Sequence, residues 1–376
     1  MSTFTGKAIY DDGVFNGVAE DVANLVSMIS PSDTPLLAAL GDAPYPAANV
    51  LHEWLEDKLT PDTLTASGTM INSTNQTSLA VHSNGDAVGD FIPVGAQVKC
   101  NGTGEYLRVT ASAGNTVTFA RAQYGTTIAS VVAGETFTVI SRTALEGADV
   151  AADISRPRSR VTNYCEIMKS DIIVSGTTQA VTQLGGITNE FDYQKLQRTK
   201  EAVRDLEKAV IMGKSSGNTL GSASAYRTMK GIWDFLTTNS TSVATLTAAG
   251  LNDVVYNAYS YGATDVNLIV ADPLWAILID TFNTSRLRLE NTDQTFRNKV
   301  TLFGSSFGDI PVVMSRWMPS KSVMALSRER VNVVPLQGRS FQYVPVARTG
   351  DAEKGMVVGE YTVEVRNEEG CAKAYG

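Results

Sequence analysis

A chain of 376 residues, 43% of them hydrophobic, can fill one large core or two smaller ones, and its length favours more than one domain. A formal charge of -8 and a pI near 5.0 exclude a protein built to grip nucleic acid, because neutralising phosphates needs a basic stripe. The three cysteines, Cys100, Cys165 and Cys371, lie far apart with no CxxC or Cys/His clustering, which excludes a zinc site and a disulfide framework and reads as free thiols of a reducing compartment.

The first 30 residues read as an arm. MSTFTGKAIYDDGVFNG lacks the apolar run of a signal peptide, so folding in the cytoplasm is expected, and Val18, Val22, Leu25, Val26 and Ile29 then fall at helical spacing. In SPSDTPLLAALG, Ser32 or Asp33 can cap a short helix, Pro35 suits its first turn and Gly41 stops it. DAPYPAAN follows as an extended connector, and Leu51 to Leu59 predicts a strand. From Pro61 to Ser83 the chain is rich in Thr, Ser, Asn and Gly and reads as a connector or an extended strand pair. Then VGAQVKC, GEYLRVTAS, NTVTFAR and ETFTVIS predict short strands of a small antiparallel domain, with Leu107, Val109, Val117, Phe119, Phe137 and Val139 on one face by their period of two. A further strand is expected over Arg160 to Val174, so two extended segments bracket the module like a long hairpin with a domain inserted at its tip.

Residues 189–212 predict the strongest helix of the chain, roughly 36 Å long at about 1.5 Å per residue. Its expected apolar stripe is Phe191, Leu196, Val203, Leu206 and Val210; Thr188 can cap its start, Gly213 suits a left-handed stop, and Arg204 with Glu207 is placed on the wet face. After a loop-like KSSGNTLGSASAYRT, the order TAAGLNDVVYNAYSYGA (helix), VNLIVAD (buried strand) and PLWAILIDTFN (helix) predicts an α/β layer. TSRLRLENTDQTFRNKV reads as an exposed loop, and IPVVMSRW, SVMALS, VNVVPL, FQYVPVA and KGMVVGEYTVEVRNEEG form a strand-rich tail with a turn at Arg348 to Asp351.

The chain offers little for catalysis. His52 and His82 are its only imidazoles, His52 being read as a packing or interface group and His82 as exposed, and there is no GxSxG, HExxH, Walker or Rossmann motif. Carboxylate pairs such as Glu56/Asp57 are adjacent and diverge in a strand, while Asp33, Asp309 and Asp351 have turn and cap neighbours. No catalytic, cofactor-binding or metal-ligating residue is assigned, and no run is long enough to cross a membrane.

Five segments in order, ISPSDTPLLAALG, HEWLEDKL, IIVSGTTQAV, RDLEKAVIMG with MKGIW, and RTGDAEKGMVVGEYTVEVRNEEG, carry a resemblance to the SU10-like family of tailed-phage major capsid proteins. Where that family more often has Gln-Ile-Phe-like residues after Asn-Tyr, this chain has Cys165, Glu166, Ile167 and Met168. The resemblance implies an α+β, HK97-type capsid fold: N-arm, E-loop, P-domain with a long spine helix, and A-domain, here with a small inserted all-β domain. The corresponding boundaries are 1–49 for the arm and short helices, 50–60 and 151–180 for the E-loop strands, and 61–150 for the inserted domain with its compact part at 86–142. Residues 181–240 are then the P-domain spine and following loop, 241–330 the A-domain, and 331–376 strands returning to the P-domain.

The function so implied is self-assembly into hexamers and pentamers of an icosahedral or elongated virion head around double-stranded DNA held without sequence-specific contacts. A mildly acidic wall suits that task, since tight contact with DNA would obstruct filling and release. Candidate contacts between copies are Trp54 and Glu53 on the first strand and Arg156, Arg158 and Arg160 before and on the second; Trp54 either anchors on a neighbour or packs within its own subunit. Separate scaffolding, portal and decoration proteins are the other expected partners. Three rivals are weighed: an adhesin whose β-module stacks sugars on Tyr106, Tyr124 and Phe119, a hydrolase using a serine, against which the missing base and elbow count, and an encapsulin-like compartment sharing the shell fold.

Overall fold

A computed structural model describes residues 33–60, 62–73, 78–83, 86–87, 91–149, 153–181, 189–215, 217, 220–284, 302–348 and 350–376. The arm helix, the Thr188 cap and the polar segment after residue 284 lie outside the described residues. The chain forms two compact units, one from the residues up to Trp54 together with Thr162–Gly376, the other Leu55–Val161.

In chain order, helix α1 (Pro35–Leu40) precedes β1 (Leu51–Glu56), and β2 (Thr63–Ala66), β3 (Ser78–Ser83), β4 (Asp86–Ala87), β5 (Gln97–Cys100), β6 (Tyr106–Ala113), β7 (Thr116–Ala120) and β8 (Thr136–Ser141) build the second unit. Its sheet runs β2-β8-β5-β6-β7-β3-β4, and β2 also pairs with β3 through Thr65 and His82. That extra pairing closes six strands into a small antiparallel barrel, which removes the open edges a flat sheet would leave. Leu107, Val109, Val117, Phe119, Phe137 and Val139 are all buried, Phe119 and Phe137 stacking with centroids 5.9 Å apart. The polar stretch before them joins the same core through Leu64, Ala66, Met70, Leu79 and Val81, so it contributes two barrel strands.

The barrel's loops are organised by a buried ion pair. Arg121 and Glu105 meet at 2.6 Å with side chains 1% and 0% exposed, and Glu105 also accepts from the main-chain N–H groups of Ala122 and Ala129. Burial raises the Glu105 carboxyl, but the hydrogen bonds from Arg121 and the two N–H groups outweigh it and hold the group below its ordinary value.

The chain then continues through β9 (Ser159–Tyr164), paired with β1 in a two-stranded ribbon, and β10 (Glu166–Ser175). After α2 (Gly176–Ala180) comes α3 (Glu190–Met212), followed by α4 (Ile232–Phe235), β11 (Ser240–Ser242), α5 (Ala248–Ser260), β12 (Leu268–Ala271) and α6 (Pro273–Thr284). The last strands are β13 (Leu302–Ser305), β14 (Gly308–Met314), β15 (Ser322–Leu326), β16 (Val331–Pro335), β17 (Gln342–Val346), β18 (Ala352–Val365) and β19 (Ala372–Tyr375). One sheet centres on β18, with β10 along one side and β16 and β17 sharing the other. The other sheet has the order β11-β19-β15-β12-β14-β13, and α5 and α6 contribute to its core through Leu251, Val254, Trp275 and Ile279. The expected helix–strand–helix layer is therefore present, but β19 carries the end of the chain into this second sheet instead of back beside β18.

Helix α3 departs from its expected details in four places. Asn189 is the cap, its Oδ1 accepting from Phe191 N at 2.9 Å and Asp192 N at 3.4 Å. Leu196, placed on the apolar stripe, is 54% exposed, whereas Ala202 and Ile211 are buried. Glu207, placed on the wet face, is fully buried. Gly213 is not left-handed but sits at φ -53, where a Cβ would lie 2.8 Å from Met229 O; glycine is needed there for the close approach of the strand of chain whose Gly231 N donates to Gly213 O. Asp309, read as a turn residue, lies within β14.

Candidate assembly surface

A two-stranded ribbon is marginal by itself and must be fixed to something. Here its base is held to the body by three sets of contacts, each from a residue whose strand position turns it inward. Trp54, 8% exposed, packs on Phe235 of α4 with ring centroids 5.9 Å apart, and lies 5.8 Å from the His52 ring. His52 Nε2 is 3.0 Å from Oε2 of Glu364 on β18. Asn163, 2% exposed, donates from Nδ2 to Lys230 O at 2.9 Å and Val363 O at 2.7 Å, while its Oδ1 accepts from Lys230 N.

Glu364 is the hub of this arrangement. It is buried, and besides His52 it accepts from the Tyr45 hydroxyl at 2.8 Å and from Arg366 Nε. The three donors come from the connector after α1, the ribbon and the residue that follows β18. Burial pushes the carboxyl up, yet the hydrogen bonds from His52, Arg366 and Tyr45 and the Arg366 charge overcome it and bring the pKa down to about 2. Tyr45, half-buried and bonded to that carboxylate, is pushed up to about 12.

A second buried carboxylate holds the start of the described chain. Glu207 accepts from Leu36 N at 3.2 Å, Leu37 N at 3.1 Å and Ser315 Oγ at 3.1 Å, so α3 supplies the cap that Thr34 does not. Here burial dominates over the three hydrogen bonds, and the carboxyl is raised. Asp33, expected as a cap, instead pairs with Arg316 at 2.9 Å and accepts from Trp317 Nε1.

Trp54 belongs to the subunit's own packing, Glu53 beside it is exposed, and in the other unit Arg156 lies 5.1 Å over the Phe91 ring. Arg158 sits 3.6 Å from Asp57 with both side chains largely exposed, a pairing of small energetic weight, and Arg160 is exposed. Glu364, Glu207 and Asn163 were not singled out from sequence; only Glu364, set between Val363 and Val365, carries a local signal, a charge within an apolar strand. The thiols of Cys165 and Cys371 are buried, and burial pushes both up to about 11. Among the described residues no group of His, Cys, Asp and Glu is placed to hold a metal, and no helix is long and apolar enough to cross a membrane.

The chain is similar to the capsid of an empty GTA particle, at 10% identity with a TM-score of 0.53 and 95% of each chain covered. It is similar also to the capsid asymmetric unit of cyanophage A-1(L), at 10% identity with a TM-score of 0.54, covering 95% of this chain and 96% of that one. Likeness at such identity shows the fold, and the fold is that of HK97-type capsid subunits. No curated protein sequence matches. The profile of the SU10 major capsid protein family matches residues 3–376, and the chain belongs to that family. It is a phage major capsid protein, a structural subunit of a shell and a component of the virion.

Proposed function

We propose that copies of this chain assemble in the host cytoplasm into hexamers and pentamers that close into a head around double-stranded DNA, without catalysing a reaction. The observation that carries this reading is the family match over nearly the whole chain, joined to surfaces that a lone subunit leaves bare. At the start of the second unit Leu55 is 63% and Leu59 92% exposed, and extended elements of this kind gain stability mainly by lying on other copies. A net charge of -8 suits a wall that contains DNA without gripping it. Separate scaffolding, portal and decoration proteins complete the proposed set of partners, and Trp54, Glu53, Arg156, Arg158 and Arg160 remain the first positions to test for an effect on contacts between copies.

Negative-stain microscopy of the purified chain, with nuclease digestion of any enclosed nucleic acid, tests the proposal. Closed shells, capsomer rings or tubes are expected. A monomer that persists at high concentration overturns it.

A further inference from the structure

The closed barrel of the second unit hides its strand edges, whereas among the described residues the outer side of β10, the longest strand beside β18, is open. Strand β10 pairs with β18 along all ten of its residues, from Glu166 opposite Tyr361 to Ser175 opposite Ala352. Among the described residues no hydrogen bond reaches the main chain of Ile167–Val174 from the other side. A long open edge is a template for another strand.

The side chains of this edge have a particular order. Met168, Ile172 and Val174 are buried, Ile172 and Val174 in the cluster that includes Phe191 and Ala202 of α3. The alternate residues face outward: Ile167 and Ile173 are 50% and 66% exposed, and Lys169 and Asp171, 3.0 Å apart, have side chains 50% and 59% exposed. Centred on Ser170, the outward sequence reads apolar, positive, negative, apolar. Turned end for end, it is its own complement.

We propose that the open edge of β10 pairs antiparallel with β10 of a second copy across a two-fold axis, Ser170 facing Ser170. In that register Lys169 stands opposite Asp171 of the second copy, Asp171 opposite its Lys169, and Ile167 opposite its Ile173. On the inner face Met168 meets Ile172 of the second copy. A slip of two residues one way sets Lys169 against Lys169, and the other way Asp171 against Asp171; a slip of one sets inward residues opposite outward ones. The same two charges therefore favour one register and penalise its neighbours, as an isologous contact requires. This inference deepens the shell reading above and rests on it for the existence of many copies.

Cross-linking tests the register. Ile167→Cys and Ile173→Cys are prepared separately and as a mixture of dissociated subunits, then allowed to assemble and oxidised. In the proposed register the mixture gives disulfide-linked dimers in at least about tenfold excess over either variant alone, because two copies of residue 167 lie about 20 Å apart along the paired strands. Dimer yield falls about threefold in Lys169→Glu and in Asp171→Lys, each read in the mixed cysteine background, and recovers when the two charges are exchanged together. Shells that form by microscopy without the mixed cross-link, or with equal cross-linking of Ile167→Cys alone, overturn the pairing and leave the shell reading intact. Absence of shells in the unmodified chain overturns the shell reading instead, and the mixed cross-link among free subunits still decides the register.

Discussion

Glu364 shows how one buried carboxylate fixes three segments at once. Its ionised form is favoured in the folded chain by donors from Tyr45, His52 and Arg366, and its pKa of about 2 lies below the ordinary value of 4.5. The contribution to stability is therefore fully present above pH 4.5 and is lost as pH falls from there towards 2. Replacing it by Gln keeps the shape but removes the charge and leaves at least one donor unmatched, so Glu364→Gln is expected to destabilise the chain by about 2–4 kcal/mol at neutral pH. Urea unfolding at pH 7 and pH 3 measures this, and the gap between variant and parent narrows at the lower pH. From sequence alone Glu364 stands out only as a charge between two valines, and Glu207 does not stand out at all. Glu207 lies three positions from Arg204 on a helix, the spacing of a wet-face pair, and nothing local reveals that α1 and Ser315 come to it from distant parts of the chain.

At the scale of elements, periodicity was readable wherever apolar residues were dense. The runs at 97–100, 106–113, 116–120 and 136–141 are strands with the expected buried face, and α3 spans Glu190–Met212 as its pattern predicts. It decided less where an element holds few apolar groups: β2 and β3 lie in a Thr- and Ser-rich stretch that reads equally as a connector or a strand pair, and the structure has the pair, while β19, four residues after a turn, is not foreseen. Strand β18 hides another feature that periodicity does not report. A Cβ at Gly359 would come within 2.6 Å of the Phe341 ring, so the ring lies directly on the bare backbone of the strand. Phe341 in turn donates its N–H to the Tyr361 hydroxyl, and the two rings are 5.0 Å apart. Gly359→Val is expected to push Phe341 off the sheet, lowering stability by about 1–3 kcal/mol with the secondary structure retained. Thermal unfolding followed by near-UV and far-UV circular dichroism together checks both halves of that statement.

For the whole molecule, the division into two units follows from where the cores close. The short alternating runs between two bracketing strands already pointed to an inserted all-β domain, but the extent of its core was not legible, because a barrel is closed by whichever strands complete the ring and not by the most hydrophobic ones. Strand β2 does so with one long aliphatic side chain, Leu64, set against Phe137 of β8. A closed ring with its own buried core and its own internal ion pair carries what a domain needs to fold alone. Residues 55–161, expressed as a fragment, are therefore expected to give a monomer with one cooperative unfolding transition. Arg121→Met in that fragment leaves Glu105 buried without its cation, at a cost of about 3–5 kcal/mol, a large part of the roughly 5–15 kcal/mol that holds a domain this size together. Differential scanning calorimetry should thus show a single peak for the parent fragment and a strongly shifted or absent peak for the variant. A fragment that melts without a peak would mean that the ring, though closed in pairing, relies on the rest of the chain for its stability.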